Sequence, residues 1–191
     1  MSTVGHSRRD TTPSEPIRVV SHESVFRGRF LELYVDELES PDGTKHSREI
    51  VAHPGAVAIV PVHPNGDVLL VRQYRHAVRS DLWEIPAGKI EPGEDLLACA
   101  QRELREETGY VAANWTRLCV LYTSPGFSNE RITLFHAAGL EQVGSPNDNE
   151  ISERRALPIA EIEGRILSSQ ITDAKTILAI AWLLATAREA E

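Results

Sequence analysis

Cysteine is scarce in this chain, whose 191 residues include only Cys99 and Cys119. The two lie far apart in sequence and form no CxxC pair, so the chain lacks the cysteine framework of a small disulfide-bonded domain. We favour reduced thiols that pack inside a cytoplasmic protein, and a single disulfide between the two is the alternative.

The sequence also lacks a long hydrophobic run. Its most apolar stretch, "ILAIAWLLATA" at 177–187, is too short to span a bilayer, so it predicts a buried C-terminal helix and no membrane partner. Residues 1–16 are polar and contain no apolar segment of the kind found in signal peptides. We expect these sixteen residues to form a disordered tail.

Basic charge is in deficit, with 20 Lys and Arg residues against 28 Asp and Glu residues, a net charge of −8 and a pI near 5.4. This balance argues against non-specific binding to nucleic acid, and we expect no nucleic-acid partner. If the substrate is an anion, positive charge must be supplied locally.

The order of the predicted elements indicates the fold class. Three strands up to residue 52 precede two strands, a short strand, a helix at about 94–108, two long strands, a further short strand and two helices. This is not the regular alternation of a doubly wound parallel sheet, and it predicts an α+β sandwich. Residues 17–52 are expected to form a small N-terminal sheet, which is marginal alone and therefore packs on a partner subunit.

An unusual density of carboxylates marks the stretch "GKIEPGEDLLACAQRELREETGY", residues 88–110. Glu103, Glu106 and Glu107 lie close together on one side of the predicted helix, where like charges repel. Glu94 is expected in the first turn, where the helix dipole favours a carboxylate. A solvated surface helix is one interpretation. The other is a site for a hard cation such as Mg²⁺, which binds carboxylate oxygens.

The same stretch resembles the Nudix box, Gly-x5-Glu-x7-Arg-Glu-aliphatic-x-Glu-Glu-x-Gly-aliphatic. Only Tyr110 departs from the usual aliphatic residue. The matching positions are Gly88, Glu94, Arg102, Glu103, Leu104, Glu106, Glu107 and Gly109. The resemblance implies an α/β/α sandwich with a mixed sheet, a catalytic domain over residues 53–191, and hydrolysis of a nucleoside diphosphate linked to another group.

The resemblance also implies roles within the box. Two to three Mg²⁺ or Mn²⁺ ions per site are expected. Their ligands would be Glu103, Glu106, Glu107 and the backbone carbonyl of Ala87. Arg102 is then an orienting partner for a box carboxylate rather than a substrate contact. Glu94 plays a similar role or associates weakly with a metal.

The segment "SPGF" at 124–127 indicates the substrate class. Pro125 lies sixteen residues after Gly109, an offset that resembles the ADP-ribose pyrophosphatase group, although Pro125 and Gly126 equally suit an ordinary turn. Phe127 either packs near the ribose or anchors its loop. The expected reaction converts ADP-ribose to AMP and ribose 5-phosphate. The alternatives are a GDP-mannose or UDP-glucose pyrophosphatase and, less favoured, a non-catalytic ADP-ribose-binding regulator.

Further substrate contacts are expected on two strands. Arg75, in the locally basic "RQYRH", offers a fork of donors to a phosphate, or is a surface charge at a strand end. By resemblance, Arg48 and Glu49 reach the nucleoside end of the ligand, across a homodimer. The alternative is an exposed pair of charges on an edge strand.

A carboxylate must also accept a proton from the attacking water. The polar loop "GSPNDNE", residues 144–150, carries Asp148 and Glu150. We favour Glu150 as the base over Asp148, with Glu103 of the box as the mechanistic rival. A solvated acidic loop without a catalytic role is the remaining interpretation.

Overall fold

The structure, a computed structural model, describes residues 17–189, with side chains to Thr186. These residues divide after Ala52 into two units. The predicted disordered tail, residues 1–16, lies outside the described residues, as do residues 190 and 191.

The first unit is a three-stranded antiparallel sheet in the order β1-β2-β3. Its strands are β1 (Arg18–Arg27), β2 (Glu32–Glu39) and β3 (Lys45–Ala52). The hairpin between β2 and β3 turns at Gly43, whose φ of +83° suits glycine, and the Asp42 side chain accepts the Thr44 amide at 2.9 Å. None of residues 17–52 is buried, so this unit has no core of its own.

The second unit is built on a seven-stranded mixed sheet with three helices. The central order is β10-β5-β4-β9-β8, with β6 paired to β5 and β7 paired to β4. The β4 and β9 strands are parallel, and the other pairs are antiparallel. The elements are β4 (Ala56–Val62), β5 (Val68–Arg75), β6 (Ser80–Glu84), β7 (Ala87–Lys89), α1 (Leu96–Thr108), β8 (Tyr110–Tyr122), β9 (Arg131–Gln142), β10 (Ile151–Leu157), α2 (Ile159–Leu167) and α3 (Ala174–Glu189).

Alternating side chains of β4 supply both sides of the core, as expected for a buried strand. Ala58 and Val60 belong to a cluster with residues of α2 and α3. Val57 and Ile59 belong to a second cluster, which includes Leu104 of α1. The helices therefore cover both faces of the mixed sheet, and the predicted α/β/α sandwich is confirmed.

The C-terminal helix is buried on one side and exposed on the other. Ala179 and Ile180 of α3 are buried in the core, whereas Ala181 and Ala185 are exposed. Within residues 17–189, no helix is long and apolar enough to cross a membrane.

Both cysteines are free, Cys99 in the buried side of α1 and Cys119 half-buried on β8. The interpretation as reduced packing thiols agrees with this arrangement, and the alternative disulfide is absent.

The acidic helix begins two residues later than predicted. Its N-cap is Asp95, whose side chain accepts hydrogen bonds from the amides of Leu97 at 2.9 Å and Ala98 at 3.2 Å. Glu94 therefore precedes the helix, and its predicted place in the first turn was wrong. The helix ends as predicted at Gly109, which adopts a left-handed conformation with φ of +79°.

Candidate active site

Strand register brings several of the predicted site segments to one end of the sheet. At this end β4 begins, with Ala56 beside Lys89 of β7 and Ile132 of β9. Because β4 and β5 are antiparallel neighbours, the end of β5 lies on the same side, where Gln73 pairs with Ile151 at the start of β10. The acidic segment, the loop before β9 and the loop before β10 therefore converge here.

The box acids Glu94, Glu103, Glu106 and Glu107 form the acid cluster of this site. Glu107 is the most deeply buried of them, with only 3% of its surface exposed. Its carboxylate accepts a hydrogen bond from the Ala87 amide of β7 at 3.2 Å. Burial, followed by the nearby charge of Glu103, raises the pKa of Glu107 from 4.5 to about 8. A positive ion next to Glu107 would lower this pKa again, because it stabilises the ionised carboxylate.

Glu103 lies one turn earlier and packs its carboxyl group onto the backbone of Gly88. A Cβ atom at position 88 would come within 1.9 Å of the Glu103 carboxyl carbon, so any other residue would displace this carboxyl group. Burial raises the pKa of Glu103, against the opposing hydrogen bond from Arg102. The predicted glycine thus lets a strand approach a carboxylate closely.

Arg102 holds three acids of the box together. Its Nε and Nη2 atoms donate to the two carboxylate oxygens of Glu94 at 2.8 and 2.9 Å. Its Nη1 atom donates to Glu103 at 2.7 Å and to Glu106 at 3.2 Å. The hydrogen bond from Arg102 lowers the pKa of Glu94 to about 2, so Glu94 remains ionised. The geometry matches an orienting role for Arg102.

The donor set of the cluster fits a hard divalent cation such as Mg²⁺ or Mn²⁺. Glu103 and Glu107 present carboxylate oxygens beside the β7 backbone, where the Glu103 carboxyl occupies the space that a Cβ at position 88 would need. Among residues 17–189, no three or more His, Cys, Asp or Glu side chains already converge as metal ligands. Glu106 faces Arg102, so it must turn away from the guanidinium to join them.

Arg75 lies at the end of β5, but two of its guanidinium donors already bind Glu84. Its Nε and Nη2 atoms donate to Glu84 at 2.8 and 2.7 Å. Only the outer edge of the guanidinium, formed by Nη1 and Nη2, is left for a phosphate. The charge of Glu107 adds to the rise in the Arg75 pKa that Glu84 causes, so the guanidinium acts electrostatically on the acid cluster.

The loop that carries the candidate bases is attached to the end of α1. The amides of Asn147 and Asp148 donate to the backbone carbonyl of Glu106 at 3.0 and 3.2 Å. The charge of Asp148 contributes to the raised pKa of Glu107. Glu150 is exposed, and its Oε2 atom accepts from Gln73 Nε2 at 2.7 Å. Asp148 is therefore the loop acid that acts on the cluster, whereas Glu150 is held by β5.

The SPGF segment forms a tight turn between β8 and β9. The amides of Phe127 and Ser128 donate to the carbonyl of Ser124 at 3.1 and 2.9 Å. Pro125 and Gly126 are exposed, and Phe127 is 58% exposed. The Phe127 ring is therefore not a buried anchor of its loop, and it is available to a ligand.

Arg48 and Glu49 are exposed on β3 of the first unit. Successive strand residues point to opposite faces, so the two side chains do not form a pair with each other. Arg48 donates to the Ser47 carbonyl at 2.8 Å.

A cavity of about 650 Å³ lies beside the acid cluster, between α1, the start of β8 and the loop before β10. Its lining includes Arg105, Glu106, Trp115, Gly144 and Asn147. The cavity is therefore bounded by α1 and by the loop that carries Asp148.

Sequence reasoning missed the side chains that support the site from a distance. These are Gln73 beside Glu150, Glu84 beside Arg75, Lys175 beside Glu84, and Arg154, which donates to the backbone carbonyl of Glu107. The available signal was a single acid within the apolar "LWEIP" and a lysine at the start of an apolar helix.

Known proteins are similar to this chain in sequence and in fold. The NUDIX domain matches residues 52–179. The chain is 38% identical over 169 residues to an ADP-ribose pyrophosphatase of Bacillus subtilis (strain 168), covering 87% of this chain and 91% of that protein. It is 40% identical over 170 residues to an ADP-ribose pyrophosphatase of Mycobacterium tuberculosis (strain ATCC 25618 / H37Rv), covering 87% and 81%.

A third relative is not named as a pyrophosphatase. The chain is 39% identical over 169 residues to a methanol dehydrogenase activator of Bacillus methanolicus, covering 87% of this chain and 91% of that protein. Among solved structures, the crystal structure of an ADP compounds hydrolase superposes with a TM-score of 0.80 over 91% of this chain and 95% of that one, at 24% identity, which supports the fold. The chain belongs to the Nudix family and is a Nudix hydrolase.

Proposed function

We propose that this protein hydrolyses the diphosphate linkage of ADP-ribose, or of a closely related nucleoside diphosphate sugar, to give AMP and ribose 5-phosphate from ADP-ribose. The observation that carries the proposal is the buried Glu107 with the half-buried Glu103 beside the Gly88 backbone, and Arg75 acts on the same cluster. The names of the relatives from B. subtilis and M. tuberculosis support the substrate class.

Divalent cations would be held by Glu103, Glu106, Glu107 and the backbone carbonyl of Ala87, two to three ions per site. Bound there, Mg²⁺ or Mn²⁺ supplies positive charge to phosphoryl oxygens and acidifies a water molecule. Without that charge, the carboxylates would repel a diphosphate. Glu94 fixes Arg102, and Arg102 in turn orients Glu103.

The reaction adds water to phosphorus and breaks a P–O bond of the diphosphate, so one proton of the water must be accepted. We assign this role to Glu150, whose exposed side chain is held at one oxygen by Gln73 and leaves the other free. Asp148 is the alternative, because its charge already acts on Glu107. However, its Oδ1 atom binds the amide of Glu150, which ties it to the loop backbone. Glu103 is the third candidate.

The first unit, residues 17–52, is proposed to pack on a second copy of the chain in a homodimer. In support, no residue of the unit is buried, and Val25 and Phe26 of β1 are 56% and 61% exposed. Arg48 and Glu49 would then contact the nucleoside end of the substrate. The exposed Pro125–Phe127 turn would contact its ribose. Reduced thiols are consistent with a cytoplasmic location.

A substrate panel tests the proposal. ADP-ribose, GDP-mannose and UDP-glucose are incubated separately with Mg²⁺ or Mn²⁺, and the products are separated and identified. We expect the highest kcat/KM for ADP-ribose. A preference for GDP-mannose or UDP-glucose would replace the substrate. Tight ADP-ribose binding without turnover would indicate the regulator instead.

A further inference from the structure

A buried ionic network surrounds Glu84, the last residue of β6, which is only 1% exposed. Its Oε1 atom accepts from Arg75 Nε at 2.8 Å, and its Oε2 atom accepts from Arg75 Nη2 at 2.7 Å. Lys175 Nζ also donates to Oε2. One buried carboxylate thus holds an arginine at the end of β5 and a lysine in the first turn of α3.

The network continues through the start of α3 and ends at the residue that follows Glu84. Lys175 also donates to Asp173 at 2.9 Å, and Asp173 accepts from the amide and the hydroxyl of Thr176 at 2.9 and 2.6 Å. The Thr176 hydroxyl oxygen accepts from the amide of Ile85 at 2.9 Å. Since Ile85 follows Glu84, this closed set of bonds fixes the Glu84 carboxylate relative to α3.

Burying these charges is expected to add little to the free energy of folding. Ion pairs in protein interiors lose their hydration, and well-packed apolar residues often stabilise a fold as well or better. What the network does provide is direction, because a bidentate Arg–carboxylate pair fixes the plane of the guanidinium. The side chain so fixed is 38% exposed and acts electrostatically on Glu107.

We propose that Glu84 is a positioning residue for Arg75, which it holds so that the outer edge of the guanidinium faces the diphosphate of the substrate. This inference rests on the proposed function. Arginine has five N–H groups, and two of those of Arg75 bind Glu84, so three remain on Nη1 and Nη2. They form a second donor edge for two oxygens of a phosphate.

Four variants test the proposal: Glu84→Gln, Arg75→Ala, the double variant, and Ile162→Ala as the control. Ile162 is fully buried in the same core and takes no part in the hydrogen bonds of the network, so its truncation is expected to lower stability alone. Kinetics with ADP-ribose and Mg²⁺ are measured well below each melting temperature. We expect Glu84→Gln and Arg75→Ala each to lower kcat/KM about 10- to 100-fold, mainly through KM.

The double variant gives the decisive comparison, because residues that act as one unit have non-additive effects. Its kcat/KM should match that of Arg75→Ala alone. If the fold-losses in kcat/KM of the two single variants multiply in the double variant, the proposal is overturned. It is also overturned if Ile162→Ala, with the same melting temperature as Glu84→Gln, loses as much kcat/KM. If Glu84→Gln does not fold, Glu84→Asp replaces it. The aspartate keeps the charge but withdraws the carboxylate, and an unchanged KM would again overturn the proposal.

Failure of the proposed function is a separate result. In that case the unmutated parent protein would hydrolyse none of the nucleoside diphosphate sugars in the panel. Calorimetry with inorganic diphosphate and Mg²⁺ would then compare the parent, Glu84→Gln and Ile162→Ala. Weaker binding in Glu84→Gln alone supports positioning, and equal affinities in all three overturn it.

Discussion

Replacing Glu107 by glutamine should stabilise the metal-free protein while it abolishes activity. Burial and Glu103 raise the pKa of this carboxyl from 4.5 to about 8. Between those two pH values the unfolded chain has released the proton and the folded protein retains it. The folded state thus binds more protons, and its stability falls as the pH rises through this range.

The size of the effect follows from the two pKa values. Each pKa unit corresponds to about 1.4 kcal/mol, so ionising Glu107 costs the metal-free fold at most about 4–5 kcal/mol near pH 8. Below pH 5 the cost is under about 1 kcal/mol by the same linkage. Glutamine removes the charge and can still accept the Ala87 amide. For a chain of this size, about 4 kcal/mol corresponds to a rise in Tm of roughly 10 °C.

Thermal unfolding with EDTA at pH 5 and pH 8 measures this difference, with Glu141→Gln, an exposed carboxylate on β9, as the matched control. We expect Glu107→Gln to exceed the parent in Tm at pH 8 and to match it at pH 5. Saturating Mg²⁺ should raise the Tm of the parent and not that of the variant. A variant no more stable than the parent at pH 8 would refute the reasoning.

Three further predictions concern the site and the assembly. Gly88→Ala should abolish turnover, because the new Cβ would lie 1.9 Å from the Glu103 carboxyl carbon and displace that carboxyl. The control Gly164→Ala places its Cβ in open space and should leave kcat unchanged. Equal activities of the two variants would refute the role of Gly88. Glu150→Gln should lower kcat by about 10²–10⁴-fold with little change in KM, and Asp148→Asn should do less. The opposite order in steady-state kinetics would move the base to Asp148. Sedimentation should give a homodimer near twice 21.2 kDa, and a fully active monomer at micromolar concentration would contradict the dimer.

The acidic helix shows how far sequence patterns reach. The spacing of the box predicted which carboxylates lie close together, because helical periodicity is a local property. The burial of Glu107 was not predicted, although it lies three residues after Leu104 and continues the buried side of α1. The start at Leu96 was missed because Glu94 and Asp95 are both acids, and only the Asp95 side chain caps the helix.

The use of Arg75 depended on contacts that no local pattern contains. Its partner Glu84 lies nine residues away across the β5–β6 pair, and Lys175 lies 91 residues beyond Glu84. Such pairs form only after the sheet and α3 have packed. Likewise, Glu150 was recognised as an exposed loop acid, but its bond to Gln73 follows from the β5–β10 register.

The central claim is that water attacks a phosphorus of the ADP-ribose diphosphate at this site. It is tested most directly by incubating the protein with ADP-ribose and Mg²⁺ in ¹⁸O-labelled water and analysing the products by mass spectrometry. We predict AMP and ribose 5-phosphate, with one ¹⁸O atom in the phosphate of one of them. ADP and free ribose, or no labelled phosphate in either product, would contradict the account.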